Sequence, residues 1–389
     1  MSRTWRLCIA IFGLHSAGCT THGAVALDRA VMAYDHTTVD LVTKLLLLNI
    51  ARAHLDKPMH FTSVSSIAAT YAFGFNAGVG PAMTGDLGYL PMGSVGGSTM
   101  ENPTITITPM QGDEFTQRLL TPFEEQKVTM LLRQGYDVDT LLRLMAAELR
   151  VQVDGNQVIH YNRPSDAEGS KTFRRVMSHL SSIQDRHALH VEPVQFKLKR
   201  TVAAASLSPE MLDDPSLSYD PDKQIYQVDA RVTGRVVITN YDHSGLPNDE
   251  RVRLQEEAKQ APPNQVLLDI RPQFVGGEYP LHGSLRLRSF LNVLTFIGRD
   301  IAAEREFDVA PDPRSPPVNE NPAHTLEIVE SDRDSNHAEL SVHLAVHSYA
   351  LATQGGYQWN KKAFTVLYQL FQMSVAPAPA NTPLITIAK

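Results

Sequence analysis

His343 and His347 stand four residues apart, the spacing at which a helix presents two imidazoles to one metal ion. Their context, AELSVHLAVHS, alternates Leu340, Val342, Leu344 and Val346 with Glu339, Ser341 and His343, which is the period of a strand. Four residues of continuous strand span roughly 13 Å, too far for two Zn–N bonds of about 2.0 to 2.1 Å, so the pair is read as part of a solvated sheet face. Asp332, Asp334 and Asn336 have the first three spacings of a calcium loop. His337 stands where that loop needs glycine and His343 where it needs glutamate, so the stretch reads as an acidic turn. GVGPAMTG lacks the third glycine of a dinucleotide fingerprint, and no GxSxG, HExxH or P-loop pattern occurs. His187 and His190 flank a strand start and read as surface residues. No catalytic residue, cofactor or metal ligand is assigned from the sequence, and a non-enzymatic role is favoured.

Cys19 is the residue with the clearest chemistry. It follows Arg3 and Arg6, an apolar run from Leu7 to Leu14, and small Ser16, Ala17 and Gly18. That is the three-part layout of an export signal, with an apolar core too short to span a bilayer. Cys8 is the other cysteine, so cleavage after residue 18 would leave a single thiol at the first position and no internal disulfide. The stretch resembles the bacterial lipoprotein signal, in which diacylglyceryl is transferred to the cysteine and the chain is cut before it. It departs from that pattern in having Ser16 at the usual leucine position, with Leu14 two residues further upstream. The alternative is an ordinary signal peptide cut near Ala24 or Ala26. Thr20 after the cysteine resembles lipoproteins sorted to the outer membrane, which implies a periplasm-facing protein held by its lipid.

The elements that would position such a protein read as mixed. Leu41, Leu45 and Leu48 with Val42, Leu46 and Ile50 predict a helix stopped by Pro58. TYAFGFNAGVG then alternates Tyr71, Phe73, Phe75, Ala77 and Val79 with small or neutral residues, and NPTITITP returns, so residues 62–109 predict a long β-hairpin. Helices are predicted in GDEFTQRLLTPF, EEQKVTMLLRQ and VDTLLRLMAAELR, followed by a small hairpin turning at Asp154-Gly155. Ser165 and Glu168 have capping-box spacing at the head of the next helix. Strands are expected near 188–200, 224–239, 266–275, 324–331 and 338–349, and helices near 284–304 and 361–373. The order lacks a βαβ rhythm, so the fold class is α+β with a largely antiparallel sheet. The expected organisation is a signal peptide over 1–18, an N-terminal helical and hairpin region over 19–205, and a C-terminal α+β region over 206–389.

Composition bounds the rest. The chain has 389 residues with formal charge −7; without residues 1–18 it holds 33 basic against 42 acidic residues, a charge of −9. An acidic chain without a clustered basic surface excludes a general nucleic-acid binder. LLLNIARAHLDKPMHFTSVSSI, ENPTITITPMQGDEFTQRLLTPF, FLNVLTFIG, KKAFTVLYQLFQM and TPLITI together resemble an uncharacterised group of proteobacterial envelope lipoproteins. The resemblance implies the compartment and supplies no activity.

Three roles follow as expectations. The first is a lipid-anchored structural, assembly or binding protein, with the membrane, further copies of itself or other envelope proteins as partners. The second is an oligomeric outer-membrane pore component, because Tyr71, Phe73, Phe75, Ala77 and Val79 share one face of a strand as in a membrane barrel. Against it, the return strand alternates poorly from Val95 and carries Glu101 near the crossing. The third is an envelope hydrolase with dispersed catalytic residues.

Overall fold

The computed structural model describes residues 28, 31–83, 89–153, 155–203, 217–223, 225–332, 338–352 and 358–375. Cys19 and the signal-like segment lie outside the described residues, as do Asp334 and Asn336. The chain divides into two units, one of residues 1–46, 60–112 and 376–389 and the other of residues 47–59 and 113–375. The secondary structure is α+β with largely antiparallel sheets. No helix among the described residues is long and apolar enough to cross a membrane.

In the first unit, the earlier part of helix α1 (residues 31–54) precedes strands β1 (Phe61–Met83) and β2 (Tyr89–Met110). These two strands form a two-stranded antiparallel sheet with 22 residue pairs, interrupted by one bulge between Val64 and Ser66.

The second unit is built on a seven-stranded sheet. Its strands are β3 (Ala146–Val153), β4 (Asn156–Tyr161), β5 (His190–Val202), β6 (Leu217–Asp220), β7 (Ile225–Thr239), β8 (Gln265–Ile270) and β9 (Leu281–Leu287). The order is β4-β3-β9-β8-β7-β5, with β6 pairing the first residues of β7. All pairs are antiparallel except β7 with β8. That parallel pair is joined through α6 (Asn248–Gln260), as parallel strands need a crossover connection. Leu254 and Ala258 of α6 pack with Val194, Phe196, Val237 and Leu267 of the sheet. Pro193 has no amide for the ladder, and the β5–β7 register shifts beside it. The amides of Arg235 and Val236 in the bulged strand instead donate to the Gln255 side chain at 2.6 Å and to Glu125 at 3.2 Å.

The unit's helices are α2 (Asp113–Leu120), α3 (Glu125–Leu132), α4 (Val138–Met145), α5 (Ala167–Gln184), α7 (Phe290–Asp300) and α8 (Trp359–Ser374). Every residue of α4 is buried, Asp139 and Arg143 included. A three-stranded sheet, β10 (Ile328–Ser331), β11 (Ser341–Leu344) and β12 (His347–Leu351), has β12 at its centre.

Four local expectations are corrected. The helix expected to run through Arg150 ends at Met145, because β3 begins at Ala146 and is paired on both sides, by β4 and β9. The side-chain cap of α5 comes from Asp166, which accepts from the Gly169 amide at 3.2 Å, so the Ser165–Glu168 box does not set the start. The first residues of the helix expected over 284–304 belong to β9, and α7 starts at Phe290 behind the Ser289 cap. Residues 338–349 are not one strand. Ala345, at φ 58°, and exposed Val346 turn the chain back so that Leu344 pairs His347 and His343 pairs Ser348. The 13 Å separation derived for a straight strand therefore does not apply. Adjacent register pairs put His343 and His347 on opposite faces of the ribbon.

Candidate functional site

Tyr71, Phe73, Phe75, Ala77 and Val79 all fall on β1, opposite Glu101, Thr99, Gly97, Val95 and Gly93 of β2. The alternate positions of the two strands, from Ala72, Gly74, Asn76 and Gly78 to Met100, Ser98, Gly96 and Ser94, make up the other face. Neither β1 nor β2 pairs with a third strand among the described residues, so each has one open edge of backbone donors and acceptors.

Three of the polar clusters among the described residues of the second unit gather ionisable groups around a histidine or a buried arginine. In the first, fully buried Arg143 donates Nε–H to Thr325 Oγ1 at 3.2 Å and Nη2–H to the Pro322 carbonyl at 3.1 Å. Arg174 of α5 donates to the carbonyls of Ala323 at 2.7 Å and Pro322 at 2.6 Å. Glu306 lies 3.5 Å from Arg174 and 3.9 Å from Arg143, and it accepts from the Thr325 amide at 2.5 Å and hydroxyl at 2.8 Å. Asp139 is 3.7 Å from Arg143, one helical turn away, and neither of its buried oxygens has a hydrogen-bond partner. Burial pushes its carboxyl pKa up despite Arg143. Burial and the neighbouring Arg143 lower Arg174 to about 10, which leaves it cationic at neutral pH.

Asp300, Glu306 and His324 bring three potential ligand atoms within 4.8 Å of one another. The charges argue against a cation there. His324 Nδ1 contacts Asp300 at 2.9 Å, and this hydrogen bond, against burial, raises the imidazole pKa. Glu306 is already committed to Arg143, Arg174 and Thr325. A divalent ion held by these three groups would have to break the His324–Asp300 contact and compete with both guanidiniums for Glu306.

In the second cluster Asp269 accepts from the Tyr241 hydroxyl at 2.6 Å and Arg271 Nε at 2.9 Å, and contacts His282 Nδ1 at 3.3 Å. Glu257 of α6 holds the other His282 nitrogen at 2.6 Å. The hydrogen bond to Asp269, with Glu257 beside it, raises His282 to about 8. With a carboxylate on each nitrogen, this imidazole is a charged tie between helix and sheet and offers no free base.

The third cluster joins Ser315 to buried His179 of α5. The Gly276 carbonyl can only accept, so His179 Nε2 at 2.9 Å carries the proton. Nδ1 then accepts from Ser315 Oγ, also at 2.9 Å. Burial lowers the His179 pKa, which keeps the ring neutral. A serine hydroxyl on an imidazole whose other nitrogen is oriented by a carbonyl is the elementary layout of an activated nucleophile.

None of these clusters was found by reading the sequence. Asp139 and Arg143, one turn apart on an apolar helix, were the one local signal. Asp269 and Arg271 are also close in sequence, but their cluster needs Tyr241 and Glu257 as well, and the third unites the distant His179 and Ser315. His187, at φ 57°, ends the turn after α5, and His190 opens β5. His347 Nδ1 contacts Asp332 at 2.9 Å. The chain matches no known family, no curated protein and no solved structure.

Proposed function

We propose that this chain is a lipid-anchored protein of the bacterial cell envelope, attached to the outer membrane through Cys19 and facing the periplasm. It acts by assembly, each copy giving β1 and β2 to a closed sheet shared among copies. The observation that carries this reading is the ribbon of 22 residue pairs, neither strand of which pairs a third strand among the described residues. A lone two-stranded ribbon is marginal in water, and in lipid its unpaired amides would cost several kcal/mol each, so insertion requires ring closure.

The register supports a crossing segment. Between Lys57 and Asp113 the Asp, Glu, Lys and Arg residues are Asp86 and Glu101 alone. Glu101 pairs Tyr71, so the twelve pairs from Ala72–Met100 to Met83–Tyr89 contain no such residue. A crossing strand needs roughly 9 to 11 residues. At about 3.4 Å per residue and a tilt near 40°, twelve residues rise roughly 30 Å, enough for an apolar band of about 25 Å.

The test compares wild type, Cys19→Ala and Phe73→Asp for membrane fractionation and for particle size after detergent extraction. Wild type should be oligomeric, and Phe73→Asp should be a folded monomer still held by its lipid. A wild-type monomer would remove the shared sheet. Unchanged membrane retention of a Cys19→Ala, Phe73→Asp double variant would remove the anchor.

The hydrolase reading is favoured by one observation, the Ser315–His179–Gly276 arrangement. It requires Ser315 to react with a fluorophosphonate probe and Ser315→Ala to abolish both labelling and any ester or peptide turnover. Absence of labelling on the folded protein refutes it.

A further inference from the structure

A cavity of about 330 Å³ opens beside the N-terminus of α7, and four arginines, Arg163, Arg286, Arg288 and Arg299, line it against two carboxylates, Glu148 and Glu304. Those carboxylates are already engaged. Glu148 accepts from Arg150 at 2.5 Å and lies 3.5 Å from Arg286, while Glu304 lies 3.8 Å from Arg299. Arg163 and Arg288 have no carboxylate within ion-pair distance among the described residues. Arg288 is 5% exposed, and its guanidinium is held by the carbonyls of Arg143, Leu144 and Asn162 and stacked 3.8 Å from the Phe296 ring centre. Burial lowers its pKa to about 9, against the attraction of Glu306 and with Arg163 adding repulsion, and it is still cationic at neutral pH.

Arg163 and Arg288 thus line one cavity with no carboxylate in ion-pair contact among the described residues, in a chain whose net charge is negative. The first turn of α7 adds to the same polarity. Ser289 and Asn292 line the cavity, Ser289 caps the Asn292 amide at 3.3 Å, and a helix N-terminus carries roughly half a positive charge. Tyr161 and Phe296 supply apolar wall.

We propose that this cavity binds an oxyanion, a phosphate or carboxylate group carried on a small organic body that rests against Tyr161 and Phe296. Guanidiniums meet such groups in paired, charge-assisted hydrogen bonds. Exposed Arg163 is free to close on the ligand, while Arg288 is fixed by its three carbonyls and sets the position of the bound charge. The site lies wholly in the second unit and does not depend on the hairpin.

The test uses the full chain in detergent, with thermal unfolding followed in inorganic phosphate and in chloride at matched ionic strength. Phosphate should raise the wild-type midpoint in a saturable way. Arg163→Gln and Arg286→Gln should each weaken the apparent affinity roughly tenfold, the worth of one charge-assisted contact. Both side chains are at the surface, so neither substitution disturbs the core as one at Arg288 would. A second arm measures binding of the Cys19→Ala chain to phosphatidylglycerol and phosphatidylcholine vesicles, to separate a lipid headgroup from a free oxyanion. Binding to the anionic vesicles that Arg163→Gln removes supports the site with a lipid as the source. An equal phosphate effect in wild type and both variants, or no effect of phosphate and no Arg163-dependent vesicle binding, overturns it.

Discussion

Replacing Glu306 by glutamine should destabilise the second unit far more than replacing Asp139 by asparagine, although each change removes one buried negative charge. Glu306 contacts both Arg143 and Arg174, whose side chains are 0% and 2% exposed, and it accepts two hydrogen bonds from Thr325. Without its charge the two guanidiniums keep Asp139, 3.7 Å from Arg143, the weaker influence of Asp308 on Arg174, and a set of carbonyls. Breaking a buried pair in this way costs about 3 to 5 kcal/mol, a large part of the roughly 5 to 15 kcal/mol that holds a domain folded. Asp139 presents the opposite case. Its oxygens have no hydrogen-bond partner, and burial outweighs Arg143 in setting its pKa. Asparagine at that position should change stability by no more than about 1 kcal/mol, because the desolvation it relieves offsets the attraction it loses. Urea unfolding followed by tryptophan fluorescence measures both, since Trp359 lies over Arg143 at 5.2 Å. The midpoints should separate at constant slope. Equal losses, or a larger loss for Asp139→Asn, would refute the division of labour between the two carboxylates.

Gly298→Ala should lower stability by about 1 to 2 kcal/mol even though alanine favours a helix by about 1 kcal/mol, because overpacking costs typically 1 to 3. A Cβ there would lie 2.9 Å from both the Ile50 carbonyl oxygen and the His54 amide nitrogen, and backbone yields little; a rise in melting temperature would contradict this packing. Gly283→Ala should prevent the second unit from folding, since its Cβ would fall 1.9 Å from the Arg150 carbonyl oxygen across the β3–β9 pair; a native circular dichroism spectrum would show otherwise. His282 has a folded pKa of about 8, above its ordinary 6.5. Its contribution is complete below pH 6.5 and is lost as pH rises through 8, a small effect on a half-exposed group. Unfolding measured from pH 6 to 9 should show a smaller decline in His282→Gln than in wild type, the remainder belonging to groups such as His324, and an equal or larger decline in the variant would reverse the assignment.

What could be read from the sequence follows from where periodicity and burial coincide. α8 and β7 carry strong apolar patterns and lie close to where those patterns place them. α6 escaped notice because NDERVRLQEEAKQ is polar almost all round, with Leu254 and Ala258 as its buried residues. The stretch LLRLMAAELR is made of helix formers, yet its second half is a strand, since pairing with β4 and β9 outweighs local preference. The turn at Ala345 and Val346 contains neither glycine nor asparagine, so nothing local marks it. Among the polar clusters, only Asp139 and Arg143 are neighbours on one element. The partners of Arg143, at Glu306, Pro322 and Thr325, come from more than 160 residues downstream.

The hairpin shows how register changes an argument that composition leaves open. In the sequence, Glu101 stands against a crossing because it falls within the return strand. Counting residues from either end does not say which part of β1 it faces. The pairing does: Glu101 lies opposite Tyr71, one pair before the uncharged stretch that runs to the tip. Under the proposed assembly, an acidic residue at that level falls at the edge of the crossing segment instead of within it, and a tyrosine opposite it would suit an interface. The same register puts Gly97 opposite Phe75 and Gly93 opposite Val79, so the poor alternation of β2 falls beside the apolar positions of β1. Alternation need not be equally strong in both strands when one carries the large side chains. Among the described residues neither edge of the ribbon has a neighbour, and the proposed assembly would supply one by bringing the same two strands from further copies.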